Sequence, residues 1–407
     1  MDSYKTIAVV GAGVFGLSLA VALRKRGHNV TVFDQNRYDE TRYQPGLDNM
    51  AQAASVDQNK IFRVSYGTKL HYQRLAMESR KGWVSLNTMC EDNNIFVNCG
   101  MLRVQHFDHL GALEKETLAN MQQEGLHDTQ FIKSIPADRD RAQHTHQTFE
   151  AVLDSLVGYT KSSEACAYFQ KAAEAEGVKF HFGHEEGRFY SIRVIGLKTN
   201  NGVFHKADVV VIAGNMATFK INKSNTSLWD KYSPERFPVI TWKSAARTTD
   251  GKDIVSFTNF QPAPKDIPFT QHGRWSIPLT PKESLTIPQP SIDAIRNFGS
   301  IFLPEFKQIS FYSTKLFDYV PTYIEKSVFV CTGGSGYGAK FLPVLGEHAA
   351  DILDKGSESS SYMRKFWRRR DRVPRGNKLE EGPDGPRNIG LFRLSYSCQI
   401  LGIKQSG

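Results

Sequence analysis

The 407-residue sequence predicts a two-domain α/β fold, in which a Rossmann-like domain with a parallel sheet is joined to a domain with an antiparallel sheet. Three observations support this prediction. A strand, a glycine-rich turn, a helix and a second strand follow one another over residues 6–34. Two more apolar strand patterns, one near 207–214 and one that opens the strand–turn–helix near 328–353, lead into glycine turns. Residues 216–318 contain strand-like runs broken by proline, which suits an antiparallel sheet.

The composition excludes a mostly disordered or fibrous chain. Hydrophobic residues make up 40% of the chain and charged residues 23%, which are ordinary values for a globular protein. The length allows two or three domains with a large core. The five cysteines are odd in number and show no paired spacing, which argues against a disulfide scaffold and for a reducing compartment. We therefore expect a cytoplasmic protein, and its last three residues, QSG, are not a peroxisomal signal.

The most informative motif lies near the amino terminus. Residues 6–10 are rich in β-branched side chains, a helical pattern over 17–26 ends at Gly27, and a second strand pattern over 29–33 ends at Asp34. The turn between the first strand and the helix consists of Gly11, Ala12, Gly13, Val14, Phe15 and Gly16. This order of strand, GxGxxG turn, helix, strand and acid is the one that a dinucleotide site requires.

Each part of this motif has a physical role. Gly11 permits a tight turn, Gly13 lets the backbone approach a diphosphate, and Gly16 lets the helix lie close to the strand. The amino terminus of the helix offers unpaired N–H groups and positive potential to phosphate. Asp34 can accept hydrogen bonds from a ribose 2′-hydroxyl, and its charge disfavours the 2′-phosphate of NADP. The motif alone leaves FAD and NAD both open.

Two later segments extend the motif to a family resemblance. Residues 54–67 read ASVDQNKIFRVSYG, and residues 328–346 read VFVCTGGSGYGAKFLPVLG. Together with the motif and the strand ADVVVIAG at 207–214, they resemble the flavoprotein family of sarcosine oxidase, fructosyl amino acid oxidase (amadoriase) and saccharopine oxidase, in its fungal branch. The resemblance implies FAD as the cofactor and oxidation of the C–N bond of a secondary amine or N-substituted amino acid to an imine, in fungal secondary metabolism or amino-acid catabolism. It further implies that hydride passes to flavin N5 and that dioxygen is the acceptor, giving hydrogen peroxide.

The resemblance also implies roles for four basic residues. Lys60 matches a cation that the family places over the flavin ring, where positive charge stabilises the reduced flavin. Arg63 and Lys340 match a pair that holds the substrate carboxylate. Lys243 is the candidate for a lysine that helps to activate oxygen. We therefore expect Lys60 and Lys243 to act in catalysis, and Arg63 and Lys340 in substrate binding.

The motif and the resemblance together give a set of expected FAD contacts. These residues lie in the amino-terminal turn, at strand ends and in the carboxy-terminal glycine turn. The set comprises residues 11–16, Asp34, Gln35, Ser55, Lys60, Ala213, Gly214, Gly334, Ser335, Gly336, Gly338 and Lys340.

Departures from the family pattern leave alternatives open. Ser310 stands where many relatives carry the cysteine that tethers the flavin, so we expect FAD to be bound without a covalent bond. Tyr337 and Ala339 replace the usual histidine and phenylalanine, and the regions near 217–257 and 313–318 are shorter than in the family. The changes are compatible with a new substrate and with a flavin-binding relative of impaired catalysis. An NAD-dependent dehydrogenase is a further alternative.

The motifs divide the chain into two predicted domains and a tail. The FAD-binding domain comprises residues 1–90, 150–215 and 319–356, and the substrate domain comprises residues 91–149 and 216–318. Residues 357–407 form an expected basic tail, in which positions 364–375 carry seven basic side chains and one acid. We expect the substrate to bind between the domains, at the carboxyl ends of the parallel strands.

The expected partners are a small-molecule amine or amino-acid-derived substrate and oxygen. We expect a monomer that binds no nucleic acid, membrane or metal. The uncharged stretch 7–23 is slightly short for a membrane-spanning helix, and its glycines belong to the dinucleotide motif. The histidine pairs His144/His146 and His181/His184 lack cysteine or acid partners at the spacing of metal ligands.

Overall fold

A computed structural model gives the fold of the chain. It describes residues 4–37, 55, 59–67, 69–89, 94–105, 108–142, 148–193, 195–213, 235–243, 254–257, 296, 313–319, 324–325, 328–331 and 338–367. For the strands between 235 and 325 the description covers the backbone alone.

The amino-terminal unit has the predicted order. It consists of strand β1 (Thr6–Val10), helix α1 (Val14–Lys25) and strand β2 (Asn29–Asp34). The last four residues of β1 are buried, as expected for a strand in the middle of a covered parallel sheet. Gly27, at φ +91°, follows the end of α1, because only glycine enters this left-handed conformation without strain.

Short antiparallel strands and two helices occupy residues 60–160. They are β3 (Lys60–Phe62), α2 (Leu70–Met89), β4 (Phe96–Val97), β5 (Met101–Val104), α3 (Ala112–Gln123), β6 (Gln130–Ile132), β7 (Ala151–Asp154) and β8 (Gly158–Thr160). Strand β8 pairs with β3 and β4, and β7 pairs with β5 and β6. The β5–β7 pairing crosses the predicted domain boundary at residue 150.

The chain then returns to the parallel sheet. This part comprises α4 (Ser162–Ala175), β9 (Lys179–Phe182), the single turn α5 (Gly183–Glu186), β10 (Phe189–Arg193), β11 (Gly196–Thr199), β12 (Phe204–Lys206) and β13 (Val209–Ile212). Strands β10, β11 and β12 form an antiparallel sheet of their own.

The remaining strands complete two sheets. They are β14 (Glu235–Lys243), β15 (Ile254–Phe257), β16 (Ser313–Tyr319), β17 (Ile324–Glu325) and β18 (Val328–Val330), and they are followed by helix α6 (Leu342–Lys355). Strands β15, β14 and β16 pair antiparallel, as expected for residues 216–318. Short 3₁₀ turns occupy His127–Thr129, Ala339–Phe341, Gly356–Glu358 and Tyr362–Lys365.

The central sheet joins both ends of the chain. Its order is β17-β18-β13-β1-β2-β9, and every neighbouring pair is parallel except β17–β18. One face packs on α1, α4 and α6, and the other packs on Leu197 of the β10–β12 sheet. The predicted α/β class, with one parallel sheet and separate antiparallel sheets, is confirmed. Among the described helices, none has the length and apolar composition needed to cross a bilayer.

Candidate functional site

The glycine-rich turn lies against the carboxyl ends of the parallel strands. The N–H of Gly11 donates to the carbonyl of Phe33 (2.8 Å), and the N–H of Ala213 donates to the carbonyl of Val10 (2.8 Å). A Cβ added at Gly16 would lie 1.8 Å from the carbonyl oxygen of Gly11 and 3.3 Å from the Cβ of Ala213. The turn, the end of β2 and the end of β13 therefore form one compact edge, as the sequence motif predicts.

This edge fits a dinucleotide. Gly13 caps α1 in an extended conformation, no described side chain bonds the cap, and the first turn of α1 carries no acid. The N–H groups at the start of α1 are thus free of competing side-chain acceptors, and the helix dipole adds positive potential there. Because the contact between Gly16 and Gly11 leaves no room for a Cβ, α1 lies close against the turn and the strand ends, which is the role of the third glycine in the motif.

Asp34 lies directly beside this turn. Its carboxylate accepts the N–H of Ala12 (2.7 Å) and the N–H of Asn36 (2.9 Å). Burial raises the pKa of this carboxyl, and the hydrogen bonds from the backbone N–H groups oppose that shift. A carboxylate can accept about four hydrogen bonds, so the group retains acceptor capacity for ribose hydroxyls.

Two basic residues and a tyrosine meet at the turn that precedes α6. The Lys340 side chain is buried, at 4% exposure, and its Nζ donates a hydrogen bond to the phenol oxygen of Tyr66. The guanidinium carbon of Arg63 lies 4.8 Å from the centre of the Tyr66 ring. Burial, and then the charge of Arg63, lower the pKa of Lys340 well below its ordinary value of 10.5. This pairing of cations around one phenol suits an anionic ligand.

Helix α2 holds the turn that carries Lys340. The carbonyl oxygen of Lys340 accepts hydrogen bonds from Ser79 Oγ (2.5 Å) and from Trp83 Nε1 (2.7 Å). The ring of the next residue, Phe341, stacks on Tyr72 with centroids 5.9 Å apart. The Lys340 turn is therefore anchored to a helix that begins four residues after Tyr66.

Lys60 lies on β3 opposite Thr160 of β8. Directly opposed residues of an antiparallel pair project to the same face of a sheet. The Thr160 hydroxyl is buried and has no hydrogen-bond partner among the described residues. An unpaired buried hydroxyl is unfavourable, so this face is suited to a ligand with polar atoms.

The other expected site residues divide into described and undescribed ones. Ser55 is buried, and its carbonyl accepts from Ser162 Oγ (3.3 Å). Gly338 opens the Lys340 turn, where its carbonyl accepts the N–H of Phe341 (2.9 Å), and Gln35 directly follows Asp34. The backbone of Lys243 ends β14, but its side chain lies outside the described part of the chain. The remaining predicted residues outside that part are Gly214, Ser310, Gly334, Ser335 and Gly336.

Sequence reasoning missed three residues that build the site. Tyr66 lies within the segment 54–67 that carries the resemblance, and its position three residues after Arg63 was the available signal. Ser79 and Trp83 belong to no motif, and no sequence signal identifies them. Within the described ranges, no group of three or more His, Cys, Asp or Glu side chains is arranged to hold a metal ion.

Comparisons with known proteins agree with this geometry. The sequence pattern of the family described as FAD dependent oxidoreductase (DAO) matches residues 6–352. L-saccharopine oxidase of Schizosaccharomyces pombe is 26% identical over 427 residues, covering 90% of this chain and 93% of that protein. Amino acid oxidase imqH of Aspergillus flavus is 21% identical over 472 residues, covering 90% of this chain and 98% of that protein.

Solved structures share the fold at lower identity. A thermally stable mutant of fructosyl peptide oxidase superimposes with a TM-score of 0.68 at 20% identity, covering 91% of this chain and 94% of that one. Amadoriase I of Aspergillus fumigatus superimposes with a TM-score of 0.65 at 18% identity, covering 90% of each chain. Since the family pattern spans most of the chain and the glycine turn, Asp34 and the parallel strands meet as that pattern requires, this protein belongs to the FAD-dependent oxidoreductase family.

Proposed function

We propose that this enzyme oxidises the C–N bond of a secondary amine or an N-substituted amino acid to an imine. The observation that carries the proposal is the meeting of Arg63 and Lys340 at Tyr66, because two cations at one phenol suit a substrate carboxylate. The names of the relatives supply the reaction class: an L-saccharopine oxidase, an amino acid oxidase and fructosyl peptide oxidases. Saccharopine and fructosyl peptides both carry an alkylated amino nitrogen and a carboxylate.

We assign the cofactor contacts to the edge formed by the glycine turn. FAD, when bound, supplies the acceptor for the electron pair released from the C–N bond. Residues 11–16 would surround its diphosphate, the N–H groups at the start of α1 would bond the phosphates, and Asp34 would accept its ribose hydroxyls. The other assigned contacts are Gln35, Ser55, Lys60, Ala213, Gly214, Gly334, Ser335, Gly336, Gly338 and Lys340.

Lys60 is the residue that we assign to the ring of the flavin. Its position opposite Thr160 supports this role, because a ring system with polar edge atoms would satisfy the buried Thr160 hydroxyl. A cation on the same face would stabilise negative charge that develops there during the reaction. Lys243 remains our candidate for oxygen activation on the basis of the family resemblance.

Lys340 and Arg63 would bind the substrate carboxylate together. The pKa of Lys340 is lowered by burial and by Arg63, so a carboxylate placed between these groups would favour the charged ammonium. Substrate binding and protonation of Lys340 are therefore coupled, and the Tyr66 hydroxyl holds the Nζ in place. A neutral amine substrate would lack this coupling and bind more weakly.

We propose that the flavin is bound without a covalent tether. A serine at position 310 cannot form the thioether that a cysteine forms. Cys331, at the end of β18, does not replace it, since burial raises the pKa of its thiol to about 12. A thiol that stays protonated is a poor nucleophile.

Oxygen is the acceptor that we propose, with hydrogen peroxide as the product. The relatives L-saccharopine oxidase and amino acid oxidase imqH are oxidases, which supports this acceptor. We further propose a monomeric, cytoplasmic enzyme of amino-acid catabolism or fungal secondary metabolism. The peroxide yield, expected to be one equivalent for each imine formed, tests oxygen as the acceptor. The elution volume on size exclusion tests the monomeric state.

The visible spectrum of the purified protein tests the proposal directly. We expect flavin absorbance, recovery of the flavin in the supernatant after acid precipitation, and anaerobic bleaching by saccharopine or a fructosyl amino acid. In the Lys340→Met variant we expect KM for such a carboxylate-bearing substrate to rise about tenfold or more, since a charge-assisted hydrogen bond contributes about 1.5–3 kcal/mol. KM for a neutral secondary amine should change little.

Four other results would each remove part of the proposal. Flavin that remains in the acid precipitate would show a covalent bond. Bound flavin that no amino acid or amine bleaches would indicate a relative of impaired catalysis. A colourless protein whose melting temperature rises with NAD and not with FAD would indicate a dehydrogenase, and equal KM changes for both substrate types would remove Lys340 from carboxylate binding.

A further inference from the structure

The backbone of Lys340 is held by two side chains of helix α2. Ser79 Oγ and Trp83 Nε1 both donate to the carbonyl oxygen of Lys340, at 2.5 and 2.7 Å. Ser79 and Trp83 are four residues apart, so they lie on one face of the helix, and both side chains are fully buried. Because two buried donors of one helix bond the same carbonyl oxygen, the orientation of that peptide group is fixed.

The local sequence explains why this carbonyl accepts bonds from side chains. Lys340 lies in the 3₁₀ turn Ala339–Phe341, where a carbonyl normally accepts the N–H three residues further on. That residue is Pro343, which has no N–H to give. Pro343 also packs on α2, because a Cβ added at Gly82 would lie 2.6 Å from its Cβ. The proline removes the local donor at the place where α2 supplies two others.

The opposite end of the same residue is also fixed. The Nζ of Lys340 donates to the hydroxyl of Tyr66, whose ring lies under the guanidinium of Arg63. A lysine side chain has four rotatable bonds and high rotamer entropy in solution. With its carbonyl and its ammonium both held, this side chain is fixed before a ligand arrives.

We propose that Ser79 and Trp83 are positioning residues that aim Lys340 at the carboxylate-binding site beside Arg63. This inference rests on the proposed function, since it concerns how one of the two carboxylate-binding cations is oriented. Neither residue touches the substrate. Each acts through the peptide group of Lys340, so each should lose its effect when the lysine ammonium is absent.

Acetate binding to the flavin-loaded enzyme tests the proposal. We compare Ser79→Ala and Trp83→Phe, alone and in the Lys340→Met background, and measure the Kd of acetate from the change in the flavin spectrum. Loss of either donor should raise Kd about three- to tenfold in the unsubstituted background. In the Lys340→Met background, where binding is already weakened about tenfold or more, the same substitutions should change Kd by less than about 1.5-fold.

Asn87→Ala is the matched control. Asn87 lies on the same helix and bonds both the N–H and the carbonyl of Phe96, at 3.0 and 2.6 Å, away from Lys340. Its loss should lower the melting temperature and leave the Kd of acetate unchanged. If Trp83→Phe fails to load flavin, Ser79→Ala carries the test by itself, because it removes a hydroxyl alone.

The outcomes separate this inference from the proposed function. Equal rises in Kd with and without Lys340, or an equal rise in Asn87→Ala, would assign Ser79 and Trp83 a structural role and overturn the inference. If the Kd of acetate is unchanged in Ser79→Ala but raised in Lys340→Met, the inference is overturned and the proposed carboxylate site is supported. No acetate binding by the unsubstituted enzyme, or unweakened binding by Lys340→Met, would overturn both.

Discussion

The folded structure disfavours the charged form of the Lys340 side chain. Its ammonium is buried, and it lies near a second cation, Arg63. The Tyr66 hydroxyl can accept from the ammonium or donate to the neutral amine, so the hydrogen bond survives either protonation state. A group of this kind binds a proton less readily in the folded chain than in the unfolded one.

This asymmetry predicts a pH dependence of stability. Since the folded pKa of Lys340 is lowered, the unfolded chain binds more protons between that value and 10.5, so stability should rise with pH across this window. Lys340→Met should remove the contribution. Its unfolding free energy relative to the unsubstituted enzyme should therefore fall steadily as the pH approaches 10.5, in denaturant titrations of the flavin-loaded proteins.

Lys115→Met is the control for that measurement. Lys115 is exposed on α3, and its replacement should give a pH profile parallel to that of the unsubstituted enzyme. A Lys340→Met profile that is also parallel would contradict the prediction, because it would mean that folding does not alter proton binding at this lysine.

Residues near the amino terminus were predictable because their geometry is local. Asp34 reaches the N–H of Ala12 across 22 residues, within one strand–helix–strand unit whose spacing is set by helix and strand lengths. Lys340 reaches Tyr66 across 274 residues, so only the family resemblance connected their segments. The contacts of Ser79 and Trp83 depend on how α2 packs, which local sequence does not determine.

Helices α1 and α6 pack closely against each other. Ser18 Oγ donates to the carbonyl of Leu342 (2.6 Å) and accepts the N–H of Gly346 (2.7 Å). A Cβ added at Gly346 would lie 2.0 Å from the carbonyl oxygen of Ser18. The glycine lets two backbones approach, and the buried serine satisfies polar groups near the start of α6.

Gly346→Ala should push these helices apart. Overpacking of a dense core costs about 1–3 kcal/mol, and the shift would also move the turn that carries Lys340. We expect a lower melting temperature and weaker flavin retention on dialysis. Replacement of the adjacent exposed Glu347 by alanine removes a surface ion pair with Arg26 and should cost about 1 kcal/mol or less.

The comparison of these two neighbours is informative because both lie on α6. Equal melting temperatures for Gly346→Ala and Glu347→Ala would mean that the helices tolerate a methyl group at their contact. That result would contradict the close approach described above.

Elements with an uninterrupted apolar pattern were predicted, and helix α2 was not. The strands β1, β13 and β18 are continuous apolar runs, which is the pattern of strands covered on both faces. Helix α2 is the longest described helix, but its buried face includes Gln73 and Ser79. Polar residues at core positions break the periodicity on which helix prediction depends.

At the scale of the whole molecule, the sheet order joins segments from both ends of the chain. Strand β1 lies between β2 and β13, and β13 pairs with β18. Beyond α6, residues 356–367 pack back on the molecule: Met363 is fully buried, and the ring of Phe366 stacks on His71 at 3.6 Å. The Tyr362 hydroxyl donates to Glu78 of α2 (3.0 Å). This returning segment, residues 356–367, therefore packs against α2, the helix that bonds the Lys340 carbonyl.

Two truncated chains test whether the returning segment, residues 356–367, stabilises the fold. A chain that ends at residue 367 retains the described packing and is the reference for the comparison. A chain that ends at residue 355 loses the buried Met363 and should be destabilised by about 2–5 kcal/mol, by analogy with removal of a large core side chain. Equal stability of the two chains would contradict a bracing role.

The family and the fold class were predictable from sequence because the backbone geometry of a dinucleotide turn requires glycine at fixed positions. The predicted flavin-dependent oxidoreductase class and the α/β fold are confirmed by the family match over residues 6–352. The pairing of β5 with β7 across residue 150 was not predicted, since antiparallel pairs between distant short strands follow from tertiary contacts that no short motif records.

The central sheet also constrains how the chain matures during synthesis. A nascent chain can pair β1 with β2 as soon as both leave the ribosome, but β18 and α6 emerge only after most of the polypeptide has been translated. Until then the early βαβ unit has an uncovered flank, and contacts between distant segments form slowly. Insertion of the cofactor should therefore be a late, post-translational event, and cells short of riboflavin should accumulate full-length chains open to proteases.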